Sequence, residues 1–148
     1  MSITIDVQYA CTNKGLPDKN KFEQWAKTGI GSSLTDAEFT IRIVDEKEIK
    51  QLNNKWRGIN KPTNVLSFPA GENHIVPDLL GDVIICAPQI LKEASEQNKT
   101  PEAHWAHMVI HGVMHLLGYD HMNDDDAKKM ESIEIEKLKL LSFPNPYE

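Results

Sequence analysis

The alternation of apolar and polar residues predicts four β-strands. Near the N-terminus, Ile3, Ile5 and Val7 are each separated by one polar residue, which is the period of a strand with one buried face. The continuous apolar run from Val83 to Ile85 is instead typical of a strand buried on both faces. The predicted strands cover residues 3–7, 39–44, 65–68 and 82–86.

Apolar residues spaced three and four apart predict five helices, at residues 19–29, 46–56, 89–97, 101–117 and 124–140. Asp45 is expected to cap the second helix, and Thr100 followed by Pro101 is a strong start for the fourth. Gly118 is expected to end that fourth helix. The order β-α-β-α-β-β-α-α-α predicts one α+β domain over residues 1–148, in which a small mixed β-sheet is packed with helices.

The composition is that of an ordinary soluble domain. The chain has 148 residues, 40% of them hydrophobic and 26% charged, which is sufficient for a single core. No run approaches the roughly 20 apolar residues of a membrane span, and the first residues lack the basic start and apolar run of a secretory signal. Cys11 and Cys86 have no CxxC spacing, so we expect reduced thiols, a cytoplasmic location and no membrane partner.

The net charge of −6 argues against a general nucleic-acid coat, but the charge is unevenly distributed. Residues 1–64 hold 10 basic and 8 acidic side chains, whereas residues 65–148 hold 6 and 14. Residues 49–64 contain four basic side chains and no acidic one: Lys50, Lys55, Arg57 and Lys61. On charge alone, this segment fits a solvated helix end and loop better than a phosphate-binding patch.

Five of the six histidines fall between residues 104 and 121, in the string HWAHMVIHGVMHLLGYDH. The first four, at offsets of 0, 3, 7 and 11, share one face of the predicted helix. Two histidines four residues apart can hold one metal ion, whereas residues eight apart are separated by roughly 12 Å. His107/His111 and His111/His115 are both such pairs, but only His111/His115 has a near third partner. The turn at Gly118 is expected to bring His121 back, which predicts a three-histidine site at the end of this helix with one open position.

The spacing H-x3-H-x2-G-x2-H equals the long zinc signature of metzincin peptidases and predicts one Zn²⁺ per chain. In those peptidases a Glu directly after the first His acts as general base, and here that position is Gly112. A glycine costs the helix about 1 kcal/mol relative to alanine, which indicates either a group that approaches the backbone closely or a tight helix crossing. The site is that of a zinc hydrolase without the peptidase base.

The string HGVMHLLGYDH at residues 111–121 resembles the signature of the bacterial YbeY endoribonucleases. The resemblance extends to RGINKPTNVLSFP at 57–69, to LGDVIIC at 80–86 and to the acidic stretch after residue 121. It covers most of the chain from about residue 39 onward, and none of these motifs departs from the family pattern.

This resemblance implies a zinc-dependent, single-strand-specific endoribonuclease of the cytoplasm. Family members act in ribosomal RNA maturation, notably at the 3′ end of the small-subunit RNA, and in ribosome quality control. The resemblance implies zinc ligands at His111, His115 and His121, and it places the family's functional arginine at Arg57. It also favours phosphate contact for residues 49–64. The implied partners are single-stranded RNA or ribosomal RNA, and ribosomal proteins or an assembly GTPase.

Arg57 and His111 are the expected catalytic residues. A zinc ion on three neutral imidazoles keeps its full charge and activates water. That water attacks the phosphodiester, or the ribose 2′-OH attacks internally, and the sequence leaves both routes open. In either route the metal and the forked guanidinium of Arg57 stabilise the negative charge on the phosphoryl oxygens.

Other side chains have a structural as well as a functional interpretation. Asp120 fits an orienting partner of a ligand histidine and a turn cap equally well. Trp56 and Phe68 are expected to pack in the core rather than to stack on bases. We expect His104 to be exposed near the helix start and His107 to pack against the sheet.

Two rival functions stay open. A metallopeptidase needs a general base in place of the missing Glu, and nothing adjacent supplies one. A non-catalytic ribosome assembly factor would use zinc only to hold two helices together. Such structural sites close with four protein ligands, commonly cysteines. Cys11 and Cys86 are far from the histidines in sequence, although folding can bring Cys86 near them.

Overall fold

The computed structural model describes residues 2–12, 14–70, 78–120 and 122–148. Within these residues the chain forms four strands and five helices in the predicted order. The strands are β1 (Ser2–Ala10), β2 (Asp36–Val44), β3 (Val65–Pro69) and β4 (Leu79–Cys86). The helices are α1 (Lys19–Ile30), α2 (Glu46–Arg57), α3 (Ala87–Glu96), α4 (Pro101–Leu116) and α5 (Asp124–Leu140). The predicted α+β fold is confirmed.

The sheet has the strand order β1-β2-β4-β3. Three strands are parallel, with Ile5 beside Phe39 in the first pair and Ile41 beside Val83 in the second. β3 runs antiparallel to β4, with Ser67 opposite Val83. Parallel neighbours need a crossover connection, which α1 provides between β1 and β2. Because β3 is the last strand in this order, it lies at one edge of the mixed sheet, and its residues line the cleft described below.

Helices cover both faces of the sheet. On one face α1, α4 and α5 enclose the main core, where Phe22 lies edge-on to both Trp25 and Trp105 at centroid distances of 5.6 Å. On the other face α2 contributes Ile49 to a smaller cluster that includes Cys86. Most side chains of α4 are buried, so it is the central helix. Neither α4 nor any other helix in the described ranges has the length and apolar character of a membrane span.

α4 approaches the sheet closely at Gly112. A Cβ atom there would lie 2.6 Å from Val83 Cγ1 and 3.3 Å from Ser67 Oγ. The Ser67 hydroxyl donates a hydrogen bond to the Gly112 carbonyl oxygen at 2.9 Å, which ties the edge strand to the helix. The glycine is therefore explained by close packing of α4, and the partner is the sheet rather than another helix.

Two side-chain predictions for α2 are wrong. Trp56 is 62% exposed instead of buried, because the last turn of α2 lies at the edge of the sheet, where the indole contacts Phe68 of β3. Asp45 has the extended backbone of a capping residue, but its side chain makes no capping hydrogen bond. Thr100 does cap α4, since its hydroxyl accepts a hydrogen bond from the Ala103 N–H at 3.2 Å.

Candidate active site

A cleft of about 600 Å³ lies between the end of α4 and the edge strand β3. One wall carries His111 and His115, and the exposed Asp120 continues it beyond the helix. The opposite wall carries the exposed Arg57 and the residues that lead into and along β3: Thr63, Asn64, Val65, Leu66, Ser67 and Pro69. The cleft thus brings the histidine string and the RGINKPTNVLSFP motif together.

The Nε2 atoms of His111 and His115 converge. They are 3.1 Å apart, and the two ring centroids are 4.6 Å apart. The spacing of four residues places both rings on one face of α4, one turn from each other. Two nitrogen ligands about 2.1 Å from one zinc ion, at the tetrahedral angle, lie about 3.4 Å apart. The observed separation is close to the one that a shared ion needs.

The end of α4 fixes the ring of His115. Gly118 has a φ of 99°, in the left-handed region that favours glycine. The Gly118 N–H donates to the His115 carbonyl oxygen at 3.1 Å, and the Tyr119 N–H donates to the Met114 carbonyl oxygen at 3.0 Å. These two hydrogen bonds are typical of a helix that ends at a glycine. This turn places the Tyr119 carbonyl oxygen 3.0 Å from His115 Nδ1. Because a carbonyl oxygen only accepts, Nδ1 is the donor, and Nε2 lies on the side of the ring that faces His111.

A buried carboxylate fixes the ring of His111. Glu134 of α5 is fully buried, and its Oε2 accepts a hydrogen bond from His111 Nδ1 at 3.2 Å. Its Oε1 accepts from His107 Nε2 at 2.6 Å and from the Tyr147 hydroxyl at 2.7 Å. Burial raises the pKa of Glu134, but the hydrogen bonds from the two histidines outweigh burial and lower this pKa to about 2. Glu134 is thus an ionised acceptor, so His111 Nδ1 is the donor and Nε2 lies on the side of the ring that faces His115.

Two convergent imidazole nitrogens suit a cation, because their separation of 3.1 Å is close to that of two ligands on one zinc ion. A carboxylate behind a histidine, as behind His111, is typical of metal sites. The predicted third ligand, His121, lies outside the described residues. Among the residues that are described, no three His, Cys, Asp or Glu side chains are arranged to hold an ion.

Hydrogen bonds from three helices hold the opposite wall. The side-chain amide of Asn53 on α2 donates to the Lys61 carbonyl oxygen at 2.9 Å and pins the loop that follows the helix. Asn64 donates to Glu93 of α3 at 3.2 Å. Glu93 also accepts from His104 Nε2 of α4 at 2.8 Å. The wall is thus connected to the helix that carries the histidine pair.

The chain matches the family model of endoribonuclease YbeY over residues 8–142. It belongs to the YbeY endoribonuclease family. The resemblance carried by the motifs is confirmed, and it extends into the N-terminal third. Among solved structures, the chain is similar to TM1509 of Thermotoga maritima, known from a solution structure, with 29% identity and a TM-score of 0.63. The match covers 90% of this chain and 87% of that one.

The two histidines at the start of α4 differ in how well the sequence predicted their surroundings. His104 is 2% exposed rather than solvated, because Glu93 of α3 lies beside the start of α4 and accepts its hydrogen bond. Burial lowers the pKa of His104, and the Glu93 carboxylate opposes this shift only in part. His107 is buried as expected, but its Nε2 bonds to Glu134 of α5.

Glu134 and Tyr147, which lie behind the histidine pair, were not predicted from the sequence. α5 is rich in acidic residues, most of which face solvent. Glu134 differs in lying four residues after Met130 and four before Leu138, both buried. An acid on the apolar stripe of a helix is the signal that identifies it, since a buried carboxylate needs partners. Tyr147 follows the last helix, where no periodic pattern marks it.

Proposed function

We propose that the protein is a zinc-dependent endoribonuclease that cleaves single-stranded RNA during ribosomal RNA maturation. The proposed roles are processing at the 3′ end of the small-subunit RNA and ribosome quality control in the cytoplasm, with ribosomal proteins or an assembly GTPase as partners. Family membership supports the nuclease activity. The observation that carries the proposal is the cleft, in which the converging Nε2 atoms of His111 and His115 face the wall that carries Arg57.

The proposed metal site consists of His111, His115 and His121 and holds one zinc ion. Zinc bound there supplies positive charge and activated water for phosphodiester cleavage. The protein contributes the neutral Nδ1–H tautomer of two ligands. Glu134 holds His111 in that form, and the Tyr119 carbonyl oxygen holds His115.

Arg57 is proposed to bind the phosphoryl group of the substrate. A guanidinium donates two parallel hydrogen bonds to phosphate oxygens and keeps its charge throughout the physiological pH range. Arg57 is exposed and lines the cleft together with His111 and His115. It is thus suited to stabilise the negative charge that develops on the phosphoryl oxygens, whether water or the ribose 2′-OH attacks.

A purely structural zinc site is less well supported, because it needs a fourth protein ligand. Cys86 is a poor candidate for that ligand. Its side chain belongs to the cluster of Ile49, Leu66 and Ile84 on the α2 face of the sheet, whereas α4 covers the other face. Burial also raises the pKa of the Cys86 thiol to about 11, which disfavours the thiolate that zinc binds.

A metallopeptidase is less well supported for a different reason. Gly112 occupies the position of the peptidase general base and has no side chain to accept a proton. A Cβ atom there would lie 2.6 Å from Val83 Cγ1, so a larger residue would force the helix or the sheet to shift. Hydrolysis of casein and of unstructured RNA by the same preparation distinguishes the two activities.

The test is cleavage of an unstructured RNA, and of the same RNA in a duplex, by protein of measured zinc content. We expect the wild type to cut the single strand. His115→Ala should lose zinc and cleavage together. Arg57→Ala should keep zinc and lose cleavage, and Arg57→Lys, which keeps the charge but not the fork, should recover only part of it.

The control is Lys139→Ala, which removes an exposed charge on α5 outside the cleft and should cleave like the wild type. If the fully zinc-loaded wild type cuts RNA no faster than Arg57→Ala, the isolated protein is not a nuclease by this mechanism. A non-catalytic ribosome assembly factor would then be the better supported function.

A further inference from the structure

The last turn of α2 presents a large aromatic side chain to solvent. Trp56 is 62% exposed, whereas Trp25 and Trp105, the other two tryptophans, are each 2% exposed. One exposed aromatic residue needs no special explanation by itself. The neighbours of Trp56 and its position give this one a specific use.

Two side chains hold the indole of Trp56 in place. The ring of Phe68 on β3 lies at a centroid distance of 6.2 Å and an angle of 62°. The Lys55 ammonium lies over the indole ring, 5.2 Å from its centre. An aromatic ring that is supported from one side and flanked by a cation is preorganised for a flat ligand that carries negative charge.

The indole adjoins the cleft. Trp56 and Phe68 each come directly before a residue that lines the cleft. These two lining residues are Arg57 and Pro69, and His111 lines the same cleft. A polymer bound with one phosphate in the cleft therefore has its neighbouring units close to the indole.

The charge of the segment that carries the indole favours an anionic polymer. Residues 49–64 contain four basic side chains and no acidic one. The negative end of the helix dipole accounts for Lys55 and Arg57 in the last turn of α2. It does not account for Lys50, which lies earlier in the helix, or for Lys61, which lies in the following loop. An exposed aromatic ring within a basic segment is a combination that binds single-stranded nucleic acid.

We propose that Trp56, supported by Phe68 and flanked by Lys55, is a base-stacking platform for an unpaired nucleotide next to the scissile phosphate. The identity of the ligand as RNA rests on the proposed function. In a duplex the faces of each base are covered by its stacked neighbours, whereas an unpaired base offers a face to an aromatic side chain. The platform therefore gives the cleft a preference for single strands.

The experiment measures binding separately from cleavage. A short oligonucleotide with 2′-O-methyl riboses, which lacks the 2′-OH nucleophile, is added to the zinc-loaded protein at low temperature, and its integrity is checked after each titration. Stacking should quench the tryptophan fluorescence of the wild type, and the quenching should be absent in Trp56→Phe, because Trp25 and Trp105 are buried. The matching duplex should quench much less.

Affinity measured by anisotropy provides the second readout. Trp56→Ala should weaken single-strand binding by about 5- to 150-fold, the range found when one base loses its aromatic partner. Trp56→Phe should restore most of the affinity. Leu140→Ala removes another apolar side chain, 75% exposed and on α5, and should bind like the wild type. Melting curves identical to wild type confirm that each variant is folded.

Cleavage assays on the same proteins separate this proposal from the proposed function. If the wild type cleaves RNA but Trp56→Ala binds as tightly as the wild type and no quenching occurs, the platform is overturned and the nuclease stands. If the wild type shows quenching and Trp56→Ala loses affinity for the single strand, but no RNA is cleaved, the platform stands as an RNA site and the nuclease proposal fails. The absence of binding, quenching and cleavage overturns both.

Discussion

A single residue outside the cleft decides how His111 is presented to it. Glu134 is buried and ionised, and such a carboxylate is tolerated only with a full set of hydrogen-bond donors. His107, His111 and Tyr147 supply these donors. The same contacts therefore have two effects. They pair the buried carboxylate, which the fold requires, and they fix the imidazole tautomer of His111, which the site requires.

Removal of the charge at position 134 tests this role. Glu134→Gln keeps the shape of the side chain, and we expect zinc affinity to fall about 10- to 100-fold, the usual effect of losing a carboxylate behind a ligand histidine. Competition with a chromophoric chelator measures this affinity independently of catalysis. Glu136→Gln, at an exposed position of the same helix, is the control. Equal zinc affinity in Glu134→Gln and wild type would contradict the role.

At the scale of the elements, the contact between α4 and the sheet determines the distance between the two walls of the cleft. We expect Gly112→Ala to lower the free energy of unfolding, because overpacking costs about 1–3 kcal/mol and the helix gains only roughly 1 kcal/mol from alanine. The new methyl group would meet Val83 Cγ1. Urea denaturation measures the free energy of unfolding. Gly112→Ala should lower it less in the Val83→Ala protein than in the wild type. An equal decrease in both proteins would exclude the clash with Val83 as the cause.

The link between α3, α4 and the cleft wall predicts a pH dependence of stability. Burial raises the pKa of Glu93, but hydrogen bonds from His104, Asn64 and Gln89 outweigh burial, so its folded-state pKa lies below the ordinary value. The ionised carboxylate therefore stabilises the fold above the unfolded-state pKa of about 4.3, and this contribution is lost as the pH falls through the lowered folded-state value.

Thermal melts of wild type and Glu93→Gln from pH 7 to pH 3 measure this contribution. The wild type should be the more stable protein at pH 7, and the difference should shrink below about pH 4.3 as Glu93 becomes protonated. Glu96→Gln, at an exposed position of the same helix, should show little difference at any pH. A difference between wild type and Glu93→Gln that is constant over the whole range would mean that the charge of Glu93 does not contribute.

The elements were predictable because their signals are local. Alternation, helical spacing and a capping threonine each depend on residues within a turn or two, and the pairing of His111 with His115 follows from the same geometry. Trp56 and His104 were misplaced because their exposure depends on other elements: α2 ends at the sheet edge, and α3 covers the start of α4. Glu134 was missed because it reaches the site from a different helix. His121 stays a prediction.

At the scale of the whole molecule, an acidic protein with a net charge of −6 has one strongly basic segment, residues 49–64. Repulsion between the acidic remainder and a polyanion makes binding depend on that segment. Each neutralised phosphate of a single strand contributes about −0.7 to the slope of log affinity against log salt. Four contacts therefore correspond to a slope of about −3.

Salt titrations of the 2′-O-methyl oligonucleotide separate the charged contacts from the stacked one. Lys61→Ala should make the slope shallower by about 0.7, since it removes one phosphate contact. Trp56→Ala should weaken binding at every salt concentration without changing the slope, because stacking releases no counterions. Lys139→Ala on α5 is the matched charge control and should leave the slope unchanged. If it changes the slope as much as Lys61→Ala does, the attraction comes from total charge rather than from residues 49–64.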